Sequence, residues 1–403
     1  MTSEAQAQTV PALATASPPV SAPDALIDEF STLPADVKKE AMSFSHVAGW
    51  MHDDHARAFD VFRKSCIKIS ENASVLRAGK PQSPALLSVC QKALEIAPSN
   101  LNNEQARLFF EQYFTPYRIT PPSGHGFLTG YFEPEVEGSF TQSAQFSWPL
   151  RSRPTDLITL TPEMMGEAAE HGLPQGFSSA RRNAGKLEIY PTRDAIENGI
   201  IDALTQPLLY VRDEAEAFSI QVQGSARVRI IGNQTPQSVR VAYAGRNGHP
   251  YTSVGKLTVE RGLLKREEAT MDRLMAWLRA DPVLGSVMIR ENRSYVFFRL
   301  AHELDPSQGP LGAASVQLTP ERSIAIDRNM WSYGLPIWLE TDLRELNLPQ
   351  ARHIKRLMIA QDTGSAIVGA ARADYFVGSG EEARLLASRI RHPMQMSVLI
   401  PHR

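Results

Sequence analysis

Cysteine is nearly missing from this chain of 403 residues, with only Cys66 and Cys90 present. That excludes a disulfide-dense scaffold and a cysteine-built zinc site. An excess of charge of either sign is missing too. The 42 Lys and Arg stand against 44 Asp and Glu, a net charge of -2. Nucleic acid and anionic membrane both demand basic patches, so neither is an expected partner. No apolar run approaches the roughly 20 residues that a membrane-spanning helix needs. The opening stretch, Met1 to Pro23, is rich in Ala, Thr, Ser and Pro. It has neither a basic n-region nor an apolar h-region, so it is not itself expected to act as a secretory signal. GxGxxG, Walker A, HExxH and GxSxG patterns are absent, which leaves dinucleotide, P-loop, zinc-protease and serine-hydrolase readings without support.

What is present is the balance of a globular protein, 42% hydrophobic and 21% charged. The length predicts two domains plus a tail. Residues 1–24 read as a disordered tail, since Pro, Ala, Ser and Thr without apolar periodicity cannot offset chain entropy. From Asp24 to about Thr115 the reading is helical. Leu26, Phe30, Leu33 and Val37 recur at spacings of three and four, Pro98 to Asn100 marks a turn, and Asn103 to Phe114 is an amphipathic helix stopped by Pro116. Cys66 and Cys90 both fall in helical stretches, about 24 positions apart. They suit a helix-to-helix disulfide, or a pair of buried free thiols.

After Pro121 and Pro122 short alternating runs separated by Gly, Pro and Asn take over, the signature of strands. They include 126–132, 217–223, 227–231 and 294–298, then 323–326, 336–339, 356–360 and 397–400. Residues 265–279 interrupt them as a helix, with Met271, Leu274, Met275 and Leu278 on one face. The expected fold class is mainly β with N-terminal helices.

The stretch most suited to chemistry is 360–378, AQDTGSAIVGAARADYFVG, which sets Asp362 and Asp374 among glycines after a strand-like run. A third aspartate, Asp327, ends the run 323–326. Glycines let backbone turn tightly, and an Asp in such a bend suits a fixed acid or base. Gathered carboxylates raise one another's pKa, so one can stay protonated near neutrality. Aspartates beside glycines are also ordinary turn formers, and spacing alone leaves both readings open.

The order Asp327, DTGSAIVG at 362–369 and ADY at 373–375 resembles the three-aspartate domain of cell-wall proteins. Further blocks sharpen the resemblance: LTGYFEP at 128–134, Tyr190 with Pro191, IQVQGS at 220–225, YAGRNGHPYTSVGK at 243–256, NRSYVFF at 292–298 and GPLGA at 309–313. Together they are similar to the membrane-bound lytic murein transglycosylases of type A. The resemblance runs from about Gly126 to Pro401.

It implies a double-psi β-barrel catalytic domain made of 25–134 and 301–403, N-terminal helices included. Residues 135–300 would be an inserted β domain forming the other wall of a glycan groove. The family pattern maps the lone catalytic acid and base onto Asp374, with Asp362 supporting it and Asp327 in the remaining, more structural position. The implied reaction cuts peptidoglycan between N-acetylmuramic acid and N-acetylglucosamine and leaves a 1,6-anhydro end, with no cofactor and no metal.

Tyr131, Gln223, Gly224, Ser225, Tyr243, Asn247 and Tyr251 are candidate sugar contacts. Aromatic faces stack on sugar rings, amides and hydroxyls address polar groups, and a glycine lets backbone come close. His125 and His249 lack a partnering His or Cys and read as loop histidines, and Lys256 as a surface cation. Expected partners are glycan strands, in the periplasm and with outer-membrane association as the family habit. A hydrolase using two of the aspartates, or a non-catalytic wall-binding module like an expansin, are the rival readings.

Overall fold

The computed structural model of the protein describes residues 29–97, 101–232, 237–266, 270–343 and 353–402. The tail expected over 1–24, Leu26 and the turn at 98–100 lie outside them. No helix among the described residues is long and apolar enough to cross a membrane.

The helix expected through Phe30, Leu33 and Val37 does not reach Leu33: Glu29 and Phe30 are helical, and the chain leaves the helix there. Turns follow Phe30, and β1 (Lys38–Ala41) follows the turns. Pro34 accounts for the difference, because it has no N–H to donate and pushes Leu33 out of the helical region. Three helices then form where caps and apolar spacing agree: α1 (His55–Ser70), α2 (Pro84–Glu95) and α3 (Asn103–Tyr113). The Asp54 carboxylate accepts the Arg57 N–H at 3.0 Å, and Ser83 Oγ accepts the Leu86 N–H at 3.2 Å with Pro84 at the first helical position. Asn102 and Gln105 cap each other's backbone reciprocally.

α1 and α3 meet through edge-on aromatic pairs, Phe59 with Phe109 at 4.9 Å and Phe62 with Phe110 at 5.8 Å. Cys66 of α1 and Cys90 of α2 are bonded, with Cα atoms 4.7 Å apart. Replacing both with Ala is expected to lower the unfolding free energy by about 3 kcal/mol, from the loop the bond closes. Urea unfolding of the two proteins measures it, and an unchanged midpoint would refute it.

The helices pack on an eight-stranded sheet. Its strands are β1, β2 (Phe114–Thr120), β17 (Arg391–Pro401), β14 (Pro336–Asp342), β15 (His353–Asp362), β13 (Ser323–Ile326), β16 (Arg372–Ser379) and β3 (Gly126–Glu133), in that spatial order. β3 also pairs with β17, so six strands form a ring of pairings from β3 through β16, β13, β15 and β14 to β17 and back. β3 runs parallel to β16 and β13 parallel to β15, and the other pairs in the ring are antiparallel. Arg322, buried just before β13, sets its guanidinium fork on Asp53 with two contacts of 2.7 and 2.8 Å. Such a bidentate pair is strong and directional, and it ties the helical segment to the strands.

At Pro134 the chain leaves this sheet for a second group of elements. A four-stranded sheet runs β12 (Val296–Leu300), β11 (Gln237–Arg246), β10 (Ser225–Ile230) and β4 (Glu135–Gly138). Beside it lie a pair, β5 (Trp148–Arg151) with β9 (Pro207–Val211), and a triple, β6 (Ile158–Thr159), β7 (Ser179–Asn183) and β8 (Lys186–Ile189). Among the described residues six helices accompany them: α4 (Met165–Glu170), α5 (Arg193–Glu197), α6 (Glu214–Gln223), α7 (Val254–Glu260), α8 (Met271–Ala280) and α9 (Pro282–Arg290). A last helix, α10 (Gly380–Ala387), follows β16.

The fold is therefore more mixed than the sequence suggests. The clearest correction is 217–223, expected as a strand and found as helix. The Asp213 carboxylate accepts the Glu216 N–H at 2.7 Å to start α6, and Gly224 at φ 84° ends it. Ala217, Phe218, Ile220 and Gln221 are buried, a spacing of one, three and four that suits a helix face, although the letters alternate as a strand would. Where the chain crosses between the two groups, Glu133 is fully buried. It is ion-paired to Arg227 and Arg240 at 2.8 Å each, and Ser379 donates to it at 2.9 Å.

Candidate functional site

A cavity opens between the strand ring and the second group. Asp362, Asp374 and Tyr131 line it from one side, and Gln223, Gly224, Ser225, Tyr243 and Tyr251 from the other. Eight of the ten residues proposed for chemistry or sugar contact thus come together from five separate sequence blocks. The sheet register sets the two aspartates. Ala325 on β13 pairs with Asp362 on one flank and Asp374 on the other, which puts their backbones roughly 10 Å apart.

Asp374 alternates with buried Ala373 and Tyr375 along β16 and is itself half-buried. Its register partner on β3 is Thr129, whose hydroxyl donates to Asp374 Oδ1 at 2.5 Å. Arg372 Nη2 donates to the same hydroxyl at 2.7 Å. Burial pushes the Asp374 carboxyl above the usual carboxylate range. The charge of Arg372 and the Thr129 hydrogen bond pull it back, and nearby Asp362 pushes it up again.

Asp362 is raised by burial as well, but its oxygens are engaged. Oδ1 accepts the backbone N–H groups of Ala313 and Thr363 at 2.9 and 2.8 Å, and Oδ2 accepts the Tyr131 hydroxyl at 2.9 Å. Burial first, and the two aspartates next, hold the Tyr131 phenol well above its ordinary value. It stays protonated as a donor.

On the opposite wall Gln223 closes α6 and its Oε1 accepts the Phe132 N–H at 3.3 Å. Gly224 takes a left-handed turn with open space where a side chain would stand, so that β10 starts at Ser225 against the cavity.

Two of the ten lie outside the cavity, Asp327 in keeping with its more structural position and Asn247 against expectation. Asp327 is not in the cavity. Its Oδ1 accepts the Asn329 N–H at 3.0 Å and its Oδ2 the Gly369 N–H at 2.8 Å, the turn-forming role of an Asp, here clamping the glycine loop between the other two. Asn247 is fully buried outside the cavity. Its Nδ2 donates to the carbonyls of Pro191 and Arg293 at 2.9 and 2.8 Å, and its Oδ1 accepts the Tyr295 N–H at 2.8 Å. That amide has nothing left for a sugar, so it fixes a loop.

His249 is buried with Nε2 at 2.7 Å from the Tyr190 carbonyl, and His125 lies at the start of β3. Neither lines the cavity. No group of three His, Cys, Asp or Glu placed to hold a metal occurs among the described residues.

Several residues in or beside the cavity were not anticipated. Thr129 sits in the LTGYFEP block, where a hydroxyl on a strand beside a tyrosine was the available signal. Arg372 lies in the 360–378 stretch without having been singled out, and it begins β16. Arg77 and Arg246 line the cavity beside the Asp362 loop, and isolated arginines carry no sequence signal. Arg193 reaches the cavity from below, sandwiched between Phe218 and Tyr295 at 5.4 and 5.1 Å.

Residues 127–299 match the family described as the MltA specific insert domain, and residues 322–400 match the 3D domain. A crystal structure of a membrane-bound lytic murein transglycosylase from Agrobacterium tumefaciens superposes with a TM-score of 0.79 at 31% identity. It covers 90% of this chain and 98% of its own. The crystal structure of MltA from Neisseria gonorrhoeae in a monoclinic form gives 0.73 at 27%, covering 91% and 94%. A curated membrane-bound lytic murein transglycosylase A from Vibrio cholerae is 30% identical over 272 residues, 67% of this chain and 64% of that protein.

Proposed function

The chain belongs to the membrane-bound lytic murein transglycosylase A family, and from that premise we propose that it cleaves the β-1,4 bond between N-acetylmuramic acid and N-acetylglucosamine in peptidoglycan. The bond breaks without water and leaves a 1,6-anhydromuramic end. The observation that carries the reading is the unequal pair of carboxyls. Both carboxyls line the cavity with raised pKa values, but Asp374 accepts one side-chain hydrogen bond, from Thr129, while Asp362 has three of its roughly four lone-pair sites engaged. A retaining or inverting hydrolase needs a second free carboxylate as nucleophile or base. A site with one usable acid suits a reaction whose nucleophile belongs to the substrate.

The steps balance around Asp374. Its carboxylic acid gives a proton to the glycosidic oxygen as the bond to the muramic anomeric carbon breaks, and N-acetylglucosamine leaves with a free 4-hydroxyl. The muramic 6-hydroxyl then attacks that carbon and returns its proton to the Asp374 carboxylate. The acid is regenerated and the ring closes. Tyr131 holds Asp362 in place, and the Asp362–Tyr131 pair shapes the floor on which the sugar lies. Gln223, Ser225, Tyr243 and Tyr251 form the facing wall.

The ring of six paired strands is read as a double-psi β-barrel. It would be completed by residues 25–134 and 301–403, with 135–300 inserted between them as the second wall. A substrate of this kind places the protein in the periplasm.

Mass spectrometry of purified glycan strands digested by the protein tests the reaction. Anhydro ends support it, and reducing ends or intact strands overturn it. The pH profile offers a second check. The reaction needs Asp374 protonated, and burial raises its pKa. Activity should therefore persist above the ordinary Asp value of about 3.9 and fall only as pH rises through the raised value. An alkaline limb in kcat/KM at the ordinary carboxylate position would contradict this.

A further inference from the structure

We infer that Arg77 and Arg246 form a clamp across the cavity mouth for a carboxylate on the muramyl side arm of the substrate, an inference that rests on the peptidoglycan reading above. Arg77 comes from the segment after α1 and Arg246 from the end of β11, so the two approach from opposite walls. They converge on one hydroxyl. Arg246 Nη1 donates to Ser365 Oγ at 2.6 Å and Arg77 Nη2 to the same atom at 3.4 Å. Arg77 Nη1 also donates to the Thr363 carbonyl at 3.1 Å.

A third guanidinium, Arg328, lies close enough to repel the other two, and burial with that repulsion brings Arg246 down to about 10. Like charges gathered in this way normally recruit an acid. Elsewhere in the chain Arg227 and Arg240 meet Glu133, and Arg322 meets Asp53. Among the described residues none of Arg77, Arg246 and Arg328 is ion-paired with a carboxylate, and the buried Nε of Arg246 meets no acceptor. Asp362 is near Arg77 and Asp327 near Arg328, but the oxygens of Asp362 are held by Ala313, Thr363 and Tyr131 and those of Asp327 by Asn329 and Gly369.

The missing countercharge is therefore expected from the ligand. Arginine forks match the planar carboxylate in shape and charge. In a glycan strand the sugar hydroxyls and acetamides are neutral. Carboxylates sit only on the lactyl ether of muramic acid, where the peptide has been removed, or on the stem peptide that the lactyl group carries. Both sources share one chemistry and one point of attachment.

Calorimetry on the Asp374→Asn protein, expected to cut strands at least about a hundredfold more slowly, separates the possibilities. The probes are peptide-free strands, the same strands with the lactyl carboxyl converted to an amide, peptide-bearing strands, and N-acetylglucosamine oligomers of equal length. A carboxylate-bearing strand is expected to bind about tenfold or more tightly than its neutral counterpart, the scale of a charge-assisted pair at a partly buried site. In Arg77→Gln and Arg246→Gln that preference should vanish while the neutral oligomer binds as before. Peptide-free strands binding tighter than peptide-bearing ones identify the lactyl group, and the reverse order identifies the stem. The acid-against-amide comparison uses the unaltered arginines and so does not depend on those variants folding. Equal affinity for acid, amide and peptide-bearing strands overturns the clamp but leaves a glycan groove standing, whereas no binding of any strand overturns the substrate reading itself.

Discussion

Asp374→Asn is expected to cut strand cleavage at least about a hundredfold in a protein that still folds, the usual scale for removing a general acid and base. The substitution keeps the shape and one carbonyl-like oxygen, so the Thr129 hydroxyl can still donate to position 374. Folding should not suffer. Because burial raises the Asp374 pKa above its unfolded value, the ionised form is the one the folded chain disfavours. Its contribution to stability is fully present at low pH and is lost as pH rises through the raised pKa. A neutral amide has no such dependence, so Asp374→Asn should be at least as stable as the parent at pH 7.

Asp362→Asn is the informative companion. The single amide oxygen could still accept from Ala313 and Thr363, but an NH2 donor would replace Oδ2, the atom that accepts the Tyr131 hydroxyl in the parent. That disturbs position rather than proton transfer, and the loss should be smaller. Turnover of purified strands followed by chromatography, together with a thermal melt, measures both. Near-normal cleavage by folded Asp374→Asn protein would remove Asp374 from the chemistry.

The strands that build the site were legible because each is a short apolar run between Gly, Pro or Asn. Residues 323–326, 336–339, 356–360 and 397–400 all lie in strands of the ring. The helix at 103–113 was legible from its spacing and its Asn102 cap. Residues 217–223 misled because Ala, Ser and Gln alternate with larger apolar residues there. Only the packing of α6 against the second sheet decides which period is buried.

The aspartates were visible as candidates, but spacing and composition alone did not divide their labour, and only the family resemblance did. Whether an Asp is a turn former or an acid depends on which N–H groups reach it. Gly369 reaches Asp327 and Ala313 reaches Asp362, from 42 and 49 positions away. Asn247 failed for the same reason. Its motif is polar and glycine-rich, yet the carbonyls that consume its amide come from Pro191 and Arg293. Arginines such as Arg77 and Arg246 acquire meaning only when two distant segments bring them to one hydroxyl.

Strands carrying an O-acetyl group on the muramic 6-oxygen are expected to bind and to go uncut. In the proposed reaction that oxygen supplies both the nucleophile and the proton that regenerates Asp374. An ester there has no hydrogen to give back, and its oxygen is a poor nucleophile. Asp362 is poorly placed to take over by activating water, since three of its roughly four lone-pair sites accept two backbone N–H groups and a phenol. Binding rests on other groups: the wall at Gln223 and Tyr243 and the arginines at Ser365. The loss should therefore appear in kcat with KM little changed, the signature of an interaction needed only at the transition state. Chemical removal of the acetyl groups should restore cleavage of the same strands, which rules out damage to the substrate as the cause. A hydrolase would behave otherwise, because water attacks from solution and leaves the 6-position untouched. Cleavage of acetylated strands at the parent rate, with reducing ends among the products, would replace the transglycosylase reading with hydrolysis and would require a second base that the Asp362 geometry does not provide.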